Sequence, residues 1–439
     1  MIRRPATILA LLTGLNLLNY LDRLVVSAVL PKIKATAEKG GLGLSDFEAG
    51  LLATVFLIGY FVTSPIFGAL GDRMARKWLI AAGIAVWSAG TAASGLAGSL
   101  GTLILARVVV GVGEASYATL APTIIDDITP PEKKGRALSI FYVATPVGAA
   151  LGYLVGGFVE ARWGWRAAFF VAGGPGLFLS LVCLLIAEPA RRQSADRADV
   201  KRDIGKLLKI PLYRQAVFGY CALTAAIGAF SYWAPDFLYR RYALDLKAAN
   251  FKFGIITVIA GTIATFAGGR WADQVRLRAE KETVAEEVEP APKSDGGYRD
   301  AAAEVTDPIT ARARAVDAST MLGLLRICAI GSLAGTPLVV AAFLSPSATM
   351  FFGFVFLAIV ALFLSTSPIN ALVLRSVPTE LRASAMALNI FAIHVLGDLW
   401  SPPLVGLLAD HLPVQLAMMA LPFAIALSAF LWWPRHKRA

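Results

Sequence analysis

Two charged residues, Asp22 and Arg23, stand side by side inside the first long apolar segment of the chain. A charge at the middle of a membrane-spanning helix costs on the order of 3 kcal/mol or more, so it is rarely kept without a partner or a water-filled cavity. Glu114 occurs at a similar depth in a later apolar stretch. Acids of this kind beside an arginine can take up protons or hold a charged substrate, which makes these residues the first candidates for a functional site.

The neighbours of these charges extend the candidate site. Asn19 lies one helical turn before Arg23, Asp22 lies about 100° round the helix from Arg23, and Tyr117 follows Glu114 by three residues. One interpretation is a buried ion pair that only pins helices together. The other is a proton-accepting Asp22 beside an anion-binding Arg23. We predict a proton-sensing role for Asp22 and substrate-binding roles for the other four residues.

A second group of candidates lies in the later part of the chain. His394 and Asp398 are four residues apart and therefore share a helix face. A histidine beside a carboxylate titrates near neutral pH, so the pair is predicted to sense protons, although a hydrogen bond between helices is the alternative. Trp233 stands in an aromatic segment that is typical of a helix core and also of a substrate wall. We predict that it contacts substrate.

The elements that must position these residues are membrane-spanning helices. The chain has 439 residues, of which 57% are hydrophobic and 16% charged, with a mean hydropathy of +0.64. In soluble domains, about half of the residues are hydrophobic and about a quarter are charged. A soluble helical protein would need nearly every helix buried all round, so we predict an all-α integral membrane protein. Twelve apolar stretches are found at 6–30, 47–70, 78–98, 101–125, 137–160, 166–187, 214–238, 253–270, 320–343, 347–372, 383–409 and 413–433.

The net charge of +11 follows the membrane topology. Of the 41 lysines and arginines, 29 fall on the segments that share a side with both termini, and nine fall on the other side. This asymmetry predicts cytoplasmic termini, and it makes anionic membrane lipid, and not nucleic acid, the partner of the basic loops. The sequence contains no metal-ligand, phosphate-loop or nucleophile motif. We therefore expect neither an enzyme, a cofactor, a metal site nor an ATP-driven pump.

The chain divides into two similar halves. A polar, basic linker at 188–213 separates residues 1–187 from residues 214–439. Asp72 recurs as Asp273, 201 residues later, and Arg136 recurs as Arg382, 246 residues later. The growth of the offset by 45 residues indicates an insertion at 274–319, which is charged, contains Pro and Gly, and is expected to be a mobile loop.

The repeated loops are candidates for gating. An aspartate at a helix end can pair with basic groups of a neighbouring helix in one conformation and release them in another. A tight, positively charged turn is the alternative interpretation. We predict gating roles for residues of the repeated loops, namely Asp72, Arg73, Arg76, Asp273, Arg136 and Glu132. Two parallel six-helix halves are the plan of the major facilitator superfamily, and the loop that holds Asp72 resembles the hallmark of that superfamily.

Several stretches together resemble one family within that superfamily, the Spinster family. The resemblance spans both halves and is denser in the first half. The run GEASY with the following Ala121-Pro122-Thr123 is its most specific part. The short segment before the first span and the insertion distinguish the chain from animal members, so we expect a bacterial homologue. The stretches that carry the resemblance are 19–23, 71–73, 110–127, 141–157 and 394–406.

The resemblance implies a function. Spinster transporters move lysophospholipids and sphingoid lipids such as sphingosine-1-phosphate, with a link to protons, and Asp22, Arg23 and Glu114 match the polar cavity residues of the family. We therefore expect a proton-linked transporter of an amphipathic anionic lipid that works by alternating access, as a monomer in a bacterial inner membrane. The alternatives are a proton-coupled transporter of small organic anions or drugs and, more distantly, a membrane-embedded lipid-modifying enzyme.

Overall fold

The computed structural model describes residues 2–130, 133–189, 200–288 and 308–434. Apart from one isolated bridge between Ile2 and Ile186, the regular structure in these residues is helical. Twelve helical spans in the described ranges are long and apolar enough to cross a membrane. The prediction of an all-α protein with twelve membrane spans is therefore confirmed.

Sixteen α-helices occur along the described chain. Six of them form the first half, a short helix follows in the linker, and the remainder form the second half. In chain order they are α1 Pro5–Lys34, α2 Asp46–Arg73, α3 Arg76–Gly95, α4 Leu100–Ile128, α5 Lys134–Trp163, α6 Trp165–Cys183, α7 Val200–Leu207, α8 Pro211–Tyr242, α9 Leu246–Val288, α10 Pro308–Leu344, α11 Ala348–Phe363, α12 Thr366–Arg375, α13 Arg382–Ile393, α14 Ser401–His411, α15 Val414–Met418 and α16 Ala420–Trp432.

Three spans are interrupted. The tenth consists of α11 and α12, which are separated at Ser365, and the twelfth consists of α15 and α16. In the eleventh, α13 and α14 are joined by a π-helical turn at His394–Asp398. Such turns often occur at functional sites because the extra residue redirects side chains.

Two predicted spans were too short. The eighth, predicted at 253–270, belongs to a helix that runs from Leu246 to Val288, and the ninth begins at Pro308 and not near 320. Both ends of the insertion at 274–319 are therefore helical and not loop, whereas 289–307 lies outside the described residues. Hydropathy marks where the membrane ends, but the Ala, Glu, Arg and Lys residues beyond it are strong helix formers and continue the helix.

The two halves pack internally and meet mainly along three helix pairs. Helices α1 to α6 contact one another, and so do α8 to α16. Across the halves, α1 faces α8, α2 faces α14 and α5 faces α9. We call the end of the molecule where α1 begins and α16 ends the terminal face, and the end where α1 ends and α2 begins the far face.

The apolar core shows where the halves are joined. One buried cluster extends through the second half and includes the far-face part of the first half, such as Val29 and Leu52. A separate cluster occupies the first half toward the terminal face, with Leu12, Ile80 and Ile124 among its members. The halves thus share a continuous core near the far face, which is the closed side of this conformation.

Glycines on α5 set the position of α1. A Cβ atom added to Gly152 would lie 2.7 Å from the carbonyl oxygen of Leu21, and one added to Gly156 would lie 2.6 Å from the Cβ of Ala28. Small residues permit such close backbone approach within membranes. The packing holds the segment that carries Asp22 and Arg23 firmly in place.

Candidate functional site

Arg23 and Glu114 form an ion pair inside the first half. The Nε atom of Arg23 donates to Oε2 of Glu114 at 2.8 Å. The side chain of Glu114 is fully buried, whereas that of Arg23 remains 18% exposed. The guanidinium carbon lies 4.9 Å from the ring centre of Tyr20, 5.0 Å from that of Phe56 and 5.4 Å from that of Tyr60. A partly accessible cation with an aromatic border is able to hold an anionic group.

Asp22 points away from its neighbour and toward α3. Its Oδ2 accepts a hydrogen bond from the hydroxyl of Thr91 at 3.4 Å, and its Oδ1 has no hydrogen-bond partner in the described part of the chain. The indole nitrogen of Trp87, on the same helix as Thr91, is also without a partner. Asp22 and Arg23 are adjacent in sequence, but Asp22 contacts α3 and Arg23 contacts Glu114 on α4. Their angular separation on the helix accounts for this difference.

A second arginine belongs to this region. Arg107 is 1% exposed, and Glu114 and Asp22 are close enough to act on it electrostatically. We call Asp22, Arg23, Arg107 and Glu114 the central charge cluster. With both acids ionised the cluster has no net charge, but only Arg23 and Glu114 are paired within it.

Asn19 and Tyr117 lie behind this cluster. Asn19 is buried on α1, near enough to Glu114 to interact with its carboxylate. Tyr117 is completely buried, donates its hydroxyl proton to the carbonyl oxygen of Leu12 and packs edge-on against Trp87 at 5.5 Å. Neither side chain is open to the space between the halves, so their positions suit support of the cluster better than direct contact with substrate.

The predicted proton-sensing pair of the second half is formed. Nδ1 of His394 lies 3.0 Å from both carboxylate oxygens of Asp398, and the π-helical turn brings the two residues together. The imidazole lies 5.7 Å from the ring of Phe61 on α2, so it faces the first half. Asp398 packs against α8 at Gly228, where an added Cβ would collide with the Cβ of Asp398.

Trp233 lies elsewhere, near the far face. It is completely buried, and its indole nitrogen donates to the carbonyl oxygen of Pro402 at 2.9 Å. The Nζ atom of Lys34 lies 5.0 Å from its ring centre. The structure thus brings Trp233 to the contact between the halves and not to the central charge cluster.

Five of the six predicted gating residues lie at the terminal face. Asp72, Arg73, Arg136 and Asp273 are exposed there. Glu132 lies outside the described residues.

Arg76 differs from the other gating candidates because it is buried. Its guanidinium bonds to Asp127 at 2.7 Å, to Glu188 at 3.0 Å and to the hydroxyl of Thr123 at 3.0 Å. These partners tie the start of α3 to the end of α4 and to the segment that follows α6.

Sequence reasoning missed the charges that close the far face. Lys34 pairs with Asp46 in its own half and with Asp236 in the other half at 2.9 Å. Arg240 pairs with Asp46 at 2.6 Å and with Asp236 at 3.4 Å. We call Lys34, Asp46, Asp236 and Arg240 the far-face cluster. The signal in the sequence was the i, i+4 spacing of Asp236 and Arg240 at the end of a span.

The carboxylate of Asp410 adds a further bond between the halves. It accepts hydrogen bonds from the backbone nitrogens of Asp46 and Phe47 at 2.7 and 3.0 Å. These two nitrogens begin α2, and Asp410 lies near the end of α14. The second half thereby caps a helix of the first half.

Hydrogen bonds continue the seam between the halves toward the centre. The hydroxyl of Ser27 donates to the carbonyl oxygen of Tyr232 at 2.6 Å, and the hydroxyl of Tyr232 donates to that of Ala49 at 2.6 Å. The amide of Asn250 donates to the carbonyl oxygen of Ala28 at 2.9 Å. Hydrogen bonds and ion pairs therefore join the halves from the far face to the depth of Tyr232.

An apolar cavity lies within the second half. Its volume is about 50 Å³, and its walls come from α8, α9, α10, α11 and α16. Ser231, whose carbonyl oxygen accepts the hydroxyl of Tyr153 from the first half at 2.7 Å, also lines the cavity. The cavity therefore reaches the seam between the halves. Its aromatic lining residues are Phe230, Phe253, Phe343 and Phe363.

Comparison with known families shows where this architecture belongs. The family model of the Major Facilitator Superfamily matches residues 12–281. The model of the Organic Anion Transporter Polypeptide (OATP) family matches residues 345–412. The first match covers more than half of the chain.

Individual proteins give a narrower relationship. Protein spinster homolog 1 of Xenopus laevis is 31% identical, and the alignment covers 98% of this chain and 78% of that protein. Protein spinster homolog 1 of Homo sapiens is 32% identical, with 97% of this chain and 78% of that protein covered.

Two solved structures share the fold. One is a bacterial homologue of the human lysosomal transporter Spinster in an inward-facing, occupied conformation, with 21% identity, a TM-score of 0.76 and coverage of 98% of this chain and 96% of that one. The other is a D-xylose-proton symporter, with 18% identity, a TM-score of 0.71 and coverage of 98% and 97%.

Proposed function

This chain belongs to the Spinster family of the major facilitator superfamily, and we propose that it is a proton-linked secondary transporter of an amphipathic anionic lipid. Lysophospholipids and sphingoid phosphates are the substrate classes that fit. The chain is a transporter and not an enzyme, so the lipid-modifying alternative is set aside. The observation that carries the proposal is the partly accessible Arg23, bound to Glu114 through Nε and bordered by three aromatic rings.

Arg23 suits an anionic head group. A guanidinium has five N–H donors in a planar fork, which matches phosphate better than an ammonium does. Glu114 accepts a hydrogen bond from one of these donors. The donors on the outer nitrogens are therefore available to a phosphate, and Glu114 orients the guanidinium from behind.

The apolar cavity suits a hydrocarbon tail. Its lining side chains are apolar apart from Ser231 and Thr257, and its volume is about 50 Å³, so its walls must move apart to admit a tail. Each methylene buried there contributes about 0.8 kcal/mol. A lipid with its head group at Arg23 and its tail in this cavity would bridge both halves, as a substrate that drives their movement must.

Asp22 is the proposed proton acceptor. It is 1% exposed and forms no ion pair in the described residues, so a proton there removes a buried charge. His394 and Asp398 form a second proton-sensing pair, which faces α2 from the other half. In this proposal Asn19 and Tyr117 support the cluster from behind.

Alternating access follows from the two ends of the molecule. The far-face cluster closes one end, and Trp233 braces Lys34 within that closure. When the terminal face closes in turn, the gating residues there form the corresponding contacts. These residues are Asp72, Arg73, Arg76, Arg136 and Asp273, and Glu132, which lies outside the described residues, keeps its predicted gating role.

The orientation and membrane follow from charge and resemblance. The excess of lysine and arginine on the terminal side places that face in the cytoplasm. This conformation is then open toward the cytoplasm. We place the protein, as a monomer, in a bacterial plasma membrane.

A second substrate class is favoured by one observation. The match of residues 345–412 to the Organic Anion Transporter Polypeptide family points to a small organic anion, which Arg23 would also hold. Competition separates the two classes. Lysolipids should inhibit transport far more strongly than short-chain anions of the same head group if the apolar cavity holds a tail, and equal inhibition would favour the small anion.

The proposal is tested by movement of a labelled lysophospholipid across proteoliposomes under an imposed pH gradient. We expect gradient-driven movement that Asp22→Asn abolishes. The matched control is Asp245→Asn, an exposed acid whose Oδ1 accepts from the backbone of Ala248, because Asn can make the same cap. Unchanged pH dependence in Asp22→Asn would remove its proton role, and no movement by folded wild-type protein would exclude the lipid.

A further inference from the structure

Arg107 is the one member of the central charge cluster that the proposed function leaves without a role. It is 1% exposed on α4 and makes no hydrogen bond or ion pair among the described residues. Its Nε and Nη1 atoms are buried without partners. A buried, unpaired guanidinium is costly, so one kept only for structure would be expected to have a partner.

The partner that Arg107 lacks is not supplied by Glu114 in this conformation. Glu114 gives Oε2 to Arg23 and keeps Oε1 unpartnered. Both guanidinium carbons, of Arg23 and of Arg107, lie 5.0 Å from the ring centre of Phe56. Two arginines therefore border the same aromatic ring, but only one of them is paired and partly accessible.

The two arginines lie at different depths. Arg107 precedes Glu114 by seven residues on α4, which places it on the same helix face and about 10 Å nearer the far face. Arg23, on α1, lies beside Glu114. The backbone of Arg107 therefore lies nearer the closed end of the molecule than that of Glu114.

A residue of the second half lies near Arg107. Tyr232 is close enough to act on it electrostatically, and Tyr232 is held to the first half by its hydroxyl bond to Ala49 and by the bond from Ser27 to its carbonyl oxygen. Both bonds belong to the seam between the halves. When the halves separate at the far face, these two bonds break and Tyr232 leaves with α8, so we expect Arg107 to become accessible.

We propose that Arg107 is an anion-binding residue of the transport site in the opposite conformation, the one open at the far face. There it receives the anionic head group of the substrate, which Arg23 holds when the terminal face is open. This inference rests on the proposed function, because it requires an anionic substrate and alternating access.

The first experiment measures transport from each side. Uptake of lysophosphatidylglycerol is followed in membrane vesicles of both orientations for wild type, Arg107→Gln and Arg23→Gln. We expect Arg107→Gln to raise KM at the far face at least tenfold and to leave KM at the terminal face within about twofold. Arg23→Gln should show the reverse pattern.

Two further variants keep this experiment decisive. Arg326→Gln, an exposed arginine on α10, is the control and should change neither KM. Arg107→Lys keeps the positive charge, so we expect it to fold even if Arg107→Gln does not. It should raise the far-face KM by a smaller factor than Arg107→Gln does. Equal effects of the Arg107 variants at both faces, or no effect at either face, would overturn the proposal.

The second experiment needs no substrate. Arg107→Cys is placed in a chain in which Cys183, Cys221 and Cys328 are replaced by Ala, and its reaction with a membrane-impermeant thiol reagent is timed. We expect slow labelling, which becomes at least tenfold faster from the far face when Asp236→Asn weakens the far-face cluster. If the reagent labels Arg107→Cys only from the terminal face, Arg107 does not belong to a site that opens at the far face. This conclusion does not depend on the identity of the substrate. If labelling follows our expectation but the protein moves no lipid, the proposed lipid substrate is wrong, whereas the proposed opening of the Arg107 site at the far face is retained.

Discussion

The central charge cluster and the far-face cluster each contain two acids and two bases, but they are paired differently. In the far-face cluster every charge contacts two opposite charges, and two of the four contacts cross between the halves. In the central cluster one pair forms, and oxygen or nitrogen atoms of Asp22, Arg107 and Glu114 remain without partners in the part of the chain that the structure describes. Complete pairing holds one conformation in place. Incomplete pairing leaves donors and acceptors for a proton and a substrate.

The largest effect should come from breaking the one pair in the central cluster. Glu114→Gln leaves Arg23 without its counter-charge, and removing one partner of a buried pair costs about 3 kcal/mol or more. We expect a clearly lower melting temperature in purified protein. The control is Glu280→Gln, since Glu280 pairs with Arg276 at 2.9 Å, both side chains are exposed, and such surface pairs contribute at most about 1 kcal/mol. Equal melting temperatures of the two variants would mean that the central pair does not stabilise the fold.

The next effect concerns ligand binding by the same pair. Arg23→Gln should weaken binding of an anionic lysophospholipid at least tenfold, because a hydrogen bond to a charged group contributes about 1.5–3 kcal/mol. Binding of a neutral monoacylglycerol should be unchanged. Titration calorimetry of both lipids checks this, with Arg326→Gln as the control. An equal loss for both lipids would assign Arg23 a structural role only.

A smaller effect is expected from the far-face cluster. Asp236→Asn leaves Lys34 and Arg240 to share Asp46, which should shift the equilibrium toward the far-face-open conformation by about 1–2 kcal/mol, or roughly tenfold. Distances between spin labels at the start of α2 and the end of α14, which both lie at the far face, report this shift. Asp245→Asn, also at that end, is the control. An unchanged distance distribution would show that the apolar seam closes the far face without help from charge.

The smallest effect on stability is expected at the terminal face. Arg73 is exposed in this conformation, so Arg73→Gln should change the free energy of unfolding by no more than about 0.5 kcal/mol. Turnover should nevertheless fall several-fold, because the gating contacts form only when this face closes. Arg278→Gln, on the polar extension of α9, is the control for an exposed arginine. Wild-type turnover in Arg73→Gln would remove its gating role.

The sequence predicted the features that are unusual for their surroundings. Twelve spans were evident because apolar runs of membrane length are rare in soluble proteins, and Asp22, Arg23 and Glu114 stood out because charge is costly within such runs. The far-face cluster was not predicted because Lys34 and Asp46 lie at helix ends, where charged residues are common. The sequence also could not reveal the direction in which a side chain of a membrane helix points, so the burial of Tyr117 and Trp233 was not evident from it.

Helix boundaries were predicted less well, for a related reason. The interruptions at Ser365 and at the π-helical turn after Ile393 depend on packing between helices and leave no mark in hydropathy. The polar extension of α9 to Val288 is decided by helix propensity beyond the membrane. Apolar length therefore located the spans but not their breaks or their ends.

The bond from Asp410 to the start of α2 links secondary structure to the conformation of the whole protein. The first N–H groups of a helix have no partner within it, and their partial positive charge favours a carboxylate. Losing such a cap costs about 0.5–2 kcal/mol. When the far face opens, α14 withdraws Asp410 from the amides of Asp46 and Phe47, and the first turn of α2 loosens. Hydrogen exchange at these two amides will therefore be slow while the far face is closed and fast while it is open, so a local measurement can time the conformational cycle without any label.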